Sequence, residues 1–329
     1  MRRRLTILAG CMTAGLMTSP ASAFMVYVSN EKDNTVSVID STTMEVLKTI
    51  NVGQRPRGIT ISHDGKVIYL CASDDDTIEI IDTTTHEIVG SLPSGPDPEL
   101  FVLSPDGATL YVANEDDNLV TVIDIESKKV LAEIPVGVEP EGMGISPDGK
   151  TMVNTSETTN MAHFIDTATH EITHNVLVDS RPRFVEFTPD GKEAWVSAEI
   201  GGTVSVIDNA TRELKQKIVF EIAGLRAESI QPVGVRITAD GKKAYVALGP
   251  ANRVAVVNTA TYEVEKYVLV GQRVWQLAFT PDQKTIISTN GVSNDITFID
   301  VESDEPVQSV TVGALPWGVV VSPNGTGSQ

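Results

Sequence analysis

A repeat of 42 residues constrains this chain more than any other feature. A turn of the form Ser/Thr-x-Asp-Gly stands at Ser62, Ser104, Ser146, Thr188 and Thr238, with weakened copies at Thr280 and Ser322. The spacings are 42, 42, 42, 50, 42 and 42 residues. A polar residue that closes an apolar run gives a second series: Asp40, Asp82, Asp124, Asp166, Asp208, Asn258 and Asp300. Its spacings are 42, 42, 42, 42, 50 and 42. The two series agree on seven units and on one eight-residue insertion between Asp208 and Thr238. A fixed period of this length marks a chain built from stacked supersecondary units.

Each unit holds four short runs with strand chemistry. In the first unit these are Gly58 to Ser62, Val67 to Ala72, Thr77 to Ile81 and His86 to Leu92. The runs are rich in β-branched residues and bounded by turn formers. In the Pro-Asp-Gly turns, Pro presets φ, Asp can bond its own backbone, and Gly supplies a positive φ. Four strands in about 40 residues make a propeller blade. The ends of the chain complete the count. Met25 to Ser29 is a second-type strand and Trp317 to Ser322 a first-type strand. The sequence therefore predicts an all-β, seven-bladed propeller of four-stranded antiparallel blades, its ring closed by one C-terminal and three N-terminal strands.

The N-terminus reads as an export signal. Arg2, Arg3 and Arg4 precede an apolar stretch from Leu5 to Met17, and Ala21-Ser22-Ala23 offers a small-residue cleavage site. Residues 1–23 are thus expected to be a signal peptide, with one domain over 24–329 and a periplasmic location. Leu8-Ala9-Gly10-Cys11 offers a rival lipoprotein box, but its preceding apolar run is short. No other apolar stretch approaches the length of a membrane span. The formal charge of −19 becomes −22 once the three signal arginines are removed. Such an acidic chain is not expected to bind nucleic acid. Cys71 is then the sole cysteine, so no intramolecular disulfide is possible. A monomer is expected.

The second strands read Tyr27-Val28-Ser29-Asn30 and Tyr111-Val112-Ala113-Asn114, with variants at Trp195 and Tyr245. Together with Asn118 to Asp124 and Ser146-Pro147-Asp148-Gly149-Lys150, they resemble the YVTN-type propeller repeat across essentially the whole mature chain. A signal peptide followed by seven such repeats is similar to the PQQ-dependent catabolism-associated β-propeller proteins. That resemblance implies a partner among quinoprotein alcohol dehydrogenases or a linked transport system. It brings no catalytic residues with it.

Residues 42 apart occupy equivalent points around the axis, so the repeat identifies which side chains meet. The position after the Pro at the start of each inner strand reads Arg57, Glu99, Glu141, Arg183, Val233, Trp275 and Trp317. The position before it reads Arg55, Asp97, Glu139, Arg181, Gln231, Arg273 and Leu315. The loops between second and third strands open on the same face, beginning with Glu31, Ser73, Glu115, Glu157, Glu199, Gly249 and Gly291. One channel mouth therefore gathers Arg55, Arg57, Glu99, Glu141, Arg181, Arg183, Arg273, Trp275 and Trp317. Arg can grip a carboxylate with two parallel bonds and Trp can stack a planar ring, which suits a ligand such as PQQ or a partner protein. The plain alternative is that Arg and Glu pair around the ring while the tryptophans plug it. The insertion, about Glu221 to Gln231, carries Arg226 and Glu228 on the same face.

Other groups fit chemistry poorly. Asp74-Asp75-Asp76 and Glu115-Asp116-Asp117 lack the Asp-x-Asp-x-Asp-Gly pattern of a calcium loop. His170 and His174 fall on an outer strand, where residues four apart stand about 13 Å apart. His63, His86 and His163 belong to different blades. No nucleophile–base motif, phosphate loop or metal-ligand set appears. The expected function is non-catalytic binding, with no cofactor assigned beyond a PQQ contact. The alternative is a lyase- or lactonase-type propeller enzyme using Glu99, Glu141, Glu157 and Glu199.

Overall fold

The computed structural model describes residues 23–324. The expected signal segment and the alternative lipid anchor at Cys11 lie outside the described residues, apart from Ala23. Among the described residues twenty-eight strands form seven antiparallel sheets of four. Numbered in chain order, the closing blade is β28 (Pro316–Val321), β1 (Met25–Asn30), β2 (Thr35–Asp40) and β3 (Glu45–Asn51). Blades one to six follow, with inner strands β4 (Pro56–Ile61), β8 (Pro98–Leu103), β12 (Pro140–Ile145), β16 (Pro182–Phe187), β20 (Val235–Ile237) and β24 (Val274–Phe279). The predicted seven-bladed architecture and its mode of closure are both present. The fourth strand of blade one starts at Ile88 rather than His86. His86 takes φ 57° in the turn before it, which ends the extended run.

Closure rests on the pairing of β28 with β1, in which Val321, Val320 and Val319 face Val26, Tyr27 and Val28. The Ser322 N–H donates to the Met25 carbonyl at 2.8 Å, and the Glu31 N–H to Leu315 at 2.9 Å. The inner edge of β1, which would otherwise be open, is thus covered by β28.

The core lies between blades, not at the axis. Seven hydrophobic clusters occupy the seven blade junctions. Val26, Val28 and Val319 of the closing blade meet Ile287 and Phe298 of blade six. On its other side, Tyr27 and Val36 meet Ile68 and Leu70 of blade one. Each sheet is thus buried on both faces, and its second and third strands read as nearly continuous buried runs.

Both sequence markers cap turns on the lower face. Asp40 Oδ1 accepts the N–H groups of Thr42 and Thr43 at 2.7 and 2.9 Å. Equivalent bonds recur at Asp82, Asp166, Asp208 and Asn258. Ser62 Oγ accepts from Lys66 N–H at 3.1 Å and donates to Asp64 at 2.7 Å, while Gly65 supplies φ 73°. At the axis the inner strands approach so closely that a Cβ on Gly58 would overlap the Glu99 carbonyl oxygen, and one on Gly318 would stand 2.6 Å from that of Arg57. Gly58→Ala should therefore cost about 1–3 kcal/mol through overpacking, read as a lower urea midpoint with an unchanged m-value.

Candidate functional site

Three backbone devices build the upper mouth. The residue that precedes six of the seven inner strands sits in the left-handed region: Arg55, Asp97, Glu139, Arg181, Arg273 and Leu315 have φ between 49° and 60°. Long or charged side chains rarely adopt this conformation. Each is held by a side chain of the preceding blade. Asn34, Asp76, Asn118, Asn160, Asn252 and Asn294 accept their backbone N–H groups at 2.9–3.1 Å. The clamping residues recur at the repeat spacing except at Gly202, which has no side chain to offer. That junction carries the insertion, and Gln231 is not clamped in this way.

The position after the Pro falls in a β-bulge. Register shifts lie between Pro56 and Ile59, Pro98 and Phe101, Pro140 and Met143, Pro182 and Phe184, and Val274 and Leu277. A bulge turns a side chain out of the sheet's alternation. Here it sends Arg57, Glu99, Glu141, Arg183 and Trp275 toward the axis. The third device is a bond from the second loop. Glu115, Glu157 and Glu199 donate their N–H groups to Asp97, Glu139 and Arg181 at 2.8–3.0 Å.

The charges fall into two groups. On the side of blades one and two, Arg55 and Arg57 both reach Glu99 Oε1, at 3.2 and 2.7 Å. Arg55 also pairs with Asp97 and Asp74, and Arg57 approaches Glu31 at 3.4 Å. On the side of blades three to six, Arg183 pairs with Glu157 and lies 3.1 Å from Glu141. Arg181 bridges Glu157 and Glu199 at 2.9 and 3.1 Å. Arg273 binds Glu199 and Gln231, both at 2.6 Å, and lies over Trp275 at 4.2 Å. Trp275 and Trp317 are 6.5 Å apart.

These groups enclose a cavity of about 440 Å³ lined by Arg55, Arg57, Arg181, Arg183, Arg273 and Trp275, with Asp97, Glu115 and Glu199 among its acids. Among the described residues several buried polar atoms at the mouth lack a partner: Glu99 Oε2, Gln276 Nε2 and Trp317 Nε1. Orphans of this kind call for explanation in a folded protein. Burial and the neighbouring Glu99 push Asp97 up to about 6. Burial, then Glu99 and Asp97, push Glu115 up to about 7. Burial also holds Glu141 well above the usual carboxylate range, against the pull of Arg183.

The predicted mouth residues do converge, but at different depths. Arg55, Arg57, Arg181, Arg183, Arg273 and Trp275 line the cavity. Trp317 is 1% exposed and lies beneath as packing. Glu99, Glu141, Glu157 and Glu199 are all at most 4% exposed, and each lies within ion-pair distance of arginine. The insertion's Arg226 and Glu228 are exposed and outside the cavity lining; Gln231 is the residue that reaches it. Asp74, Asp75 and Asp76 are engaged separately by Arg55, Gln54 and the Asp97 N–H. His163 is a satisfied interior residue bonded to Asn175 and Ser156, while His170 sits in a turn and His174 on an exposed outer strand. The clamp series and the bulges were not anticipated. The clamps could have been found from their 42-residue spacing, whereas the bulges leave no comparable mark.

The sequence profile described as Choice-of-anchor I domain matches residues 118–291, more than half of the chain. The chain belongs to the Choice-of-anchor I domain family. A second profile, the Cytochrome D1 heme domain, matches residues 68–159. No curated protein matches this Choice-of-anchor I chain. Among solved structures, Kuenenia stuttgartiensis hydrazine synthase is similar with a TM-score of 0.78 at 22% identity, over 89% of this chain and 99% of that one. A putative 6-phosphogluconolactonase from Bacteroides fragilis gives 0.76 at 19%, over 92% and 99%. Dihydro-heme d1 dehydrogenase NirN in complex with DHE gives 0.70 at 15%, over 91% and 75%. At these identities the likeness is one of fold.

The raised carboxyl groups make a pH prediction. An acid whose folded pKa lies above its unfolded value binds its proton more tightly in the folded state. Stability is then fullest below the ordinary range near 4 and declines as pH rises through about 6 and 7. In chelator-treated protein the thermal midpoint should fall between pH 5 and 8, and Glu115→Gln should flatten that fall. Thermal unfolding followed by circular dichroism across this range checks it.

Proposed function

We propose that this chain is an exported, non-catalytic binding propeller whose upper mouth takes a small planar ligand bearing carboxylates, or a partner that presents such groups. The observation that carries the reading is the mouth cavity, where five guanidinium groups and Trp275 line about 440 Å³. A volume of this order suits a drug-sized ligand. Arg181 is half exposed and presents N–H groups to the cavity, while Arg273 is held in place by Gln231, Glu199 and Trp275. PQQ belongs to this ligand class, as does a carboxylated haem, and the Cytochrome D1 heme domain profile and the NirN likeness support the class. The partner suggested by the whole-chain repeat resemblance is a quinoprotein alcohol dehydrogenase or a component of its transport system. The signal peptide expected over residues 1–23 supports a periplasmic location. No helix among the described residues is long and apolar enough to cross a membrane.

An enzymatic reading is favoured by one observation, that Glu115 lines the cavity without an ion-pair partner among the described residues, where burial and the neighbouring Glu99 and Asp97 push it up toward the range of a general base. It would act on a lactone, as the name of the putative 6-phosphogluconolactonase suggests. Hydrolysis of 6-phosphogluconolactone that is lost in Glu115→Gln would favour this reading over pure binding.

The binding reading predicts saturable heat on titration of PQQ into the mature protein, with quenching of tryptophan fluorescence. The double change Arg181→Ala, Arg273→Ala should weaken that binding at least tenfold without lowering the yield of folded protein. Capture from cells grown on an alcohol should recover a quinoprotein dehydrogenase or transporter component. Absence of heat and quenching with both PQQ and haemin, together with no captured partner above background, would overturn it.

A further inference from the structure

We infer that Asp97, Glu99 and Glu115 of blade two form a site for a hard divalent cation on the wall of the upper mouth. Their carboxylate oxygens lie within 4.8 Å of one another, close enough to share one ion. Three separate pieces of backbone deliver them: Asp97 from the left-handed position before β8, Glu99 from the bulge in β8, and Glu115 from the loop after the neighbouring strand (Thr109–Asn114). The Glu115 N–H donates to the Asp97 carbonyl at 3.0 Å, which fixes the loop against the strand.

Glu99 supplies the independent sign of a ligand. Its side chain is fully buried. Oε1 is held by Arg55 and Arg57, but Oε2 is buried without a partner. A carboxylate oxygen in that state is costly unless something positive meets it. Glu115 adds a carboxylate that forms no ion pair among the described residues, whereas Asp97 is paired with Arg55. Blade three has acids at all three equivalent positions as well, Glu139, Glu141 and Glu157. There Arg183 pairs with Glu157 and stands by Glu141, and Arg181 also takes Glu157. No equivalent arginine faces Glu115, because the neighbouring blade presents acids.

The donor set decides the class of ion. Three carboxylates with no nitrogen or sulfur suit calcium, magnesium or manganese rather than zinc or copper. Asp97 and Glu115 also line the mouth cavity, so coordination positions left to water face it. The inference is separate from the binding proposal, since a cation could bind whether or not a planar ligand does.

The test is calorimetric titration of chelator-treated, full-length mature protein with Ca²⁺, Mn²⁺ and Mg²⁺, and with Zn²⁺ as the soft comparison. One saturable site is expected for at least one hard ion, with a rise in thermal midpoint. Glu115→Gln, an isosteric change on a loop, should weaken binding at least tenfold, as should Asp97→Asn. Glu228→Gln, on the exposed insertion, should leave it unchanged. If Asp97→Asn does not fold, Glu115→Gln alone decides. No saturable heat with any hard ion would overturn the inference, as would equal affinity in wild type and Glu115→Gln, the result of an adventitious ion only. Tighter binding of Zn²⁺ than of every hard ion would overturn the assigned class.

Discussion

The rest of the structure depends on the main-chain ladder between β28 and β1. A propeller blade buries both faces against its neighbours, so an open ring would expose two apolar sheet faces at once. The closing blade contributes to two of the seven junction clusters. Its inner strand comes from one end of the chain and its other three from the opposite end. Closure also sets the width of the channel. Once seven inner strands meet around one axis, their backbones crowd, and glycine at 58, 142, 234 and 318 leaves room where a Cβ would press on a neighbour.

That closure divides the molecule into a uniform face and a variable one. The lower face repeats its chemistry blade after blade, with Asx-type caps on the outer turns and Ser/Thr-x-Asp-Gly on the inner ones. The capping hydrogen bonds lie within each turn, so one solution recurs from blade to blade. The upper face keeps a common backbone, with a clamp, a left-handed residue and a bulge, but varies what that backbone presents. Leu315, Arg55, Asp97 and Arg273 all take the same unusual φ. A constant backbone carrying changing side chains is how a rigid scaffold displays a site.

This division explains what could be read from the sequence. Blade number, strand count and ring closure were legible because the lower-face turns demand particular residues, such as Gly for positive φ and Asp for the cap. Membership of the mouth was legible for the same reason, since equivalent positions are counted from those turns. Depth was not. Trp317 and Trp275 hold equivalent positions, yet one is buried beneath the site and the other lines it, because depth depends on which neighbours surround each bulge. Charge balance was equally hidden. Glu115 and Glu157 are equivalent in the repeat, but only Glu157 faces arginines of the next blade. The Asp97–Glu99–Glu115 group joins residues up to 18 apart in the chain that no linear pattern connects.

The composition of the mouth is not required by the fold. Val233 occupies the ring position on blade five and is fully buried there without any ion pair. The same position on blade four holds Arg183, 4% exposed among Glu141, Glu157 and Glu199. Buried ion pairs of this kind are often no more stabilising than apolar residues of similar volume, because desolvation consumes the attraction. An apolar ring would also leave fewer orphaned atoms than this one does. Stability therefore gives no reason to keep arginines and acids on blades one to four. The binding proposed for the mouth supplies such a reason, and the cation proposed for blade two would meet Glu115, which forms no ion pair among the described residues.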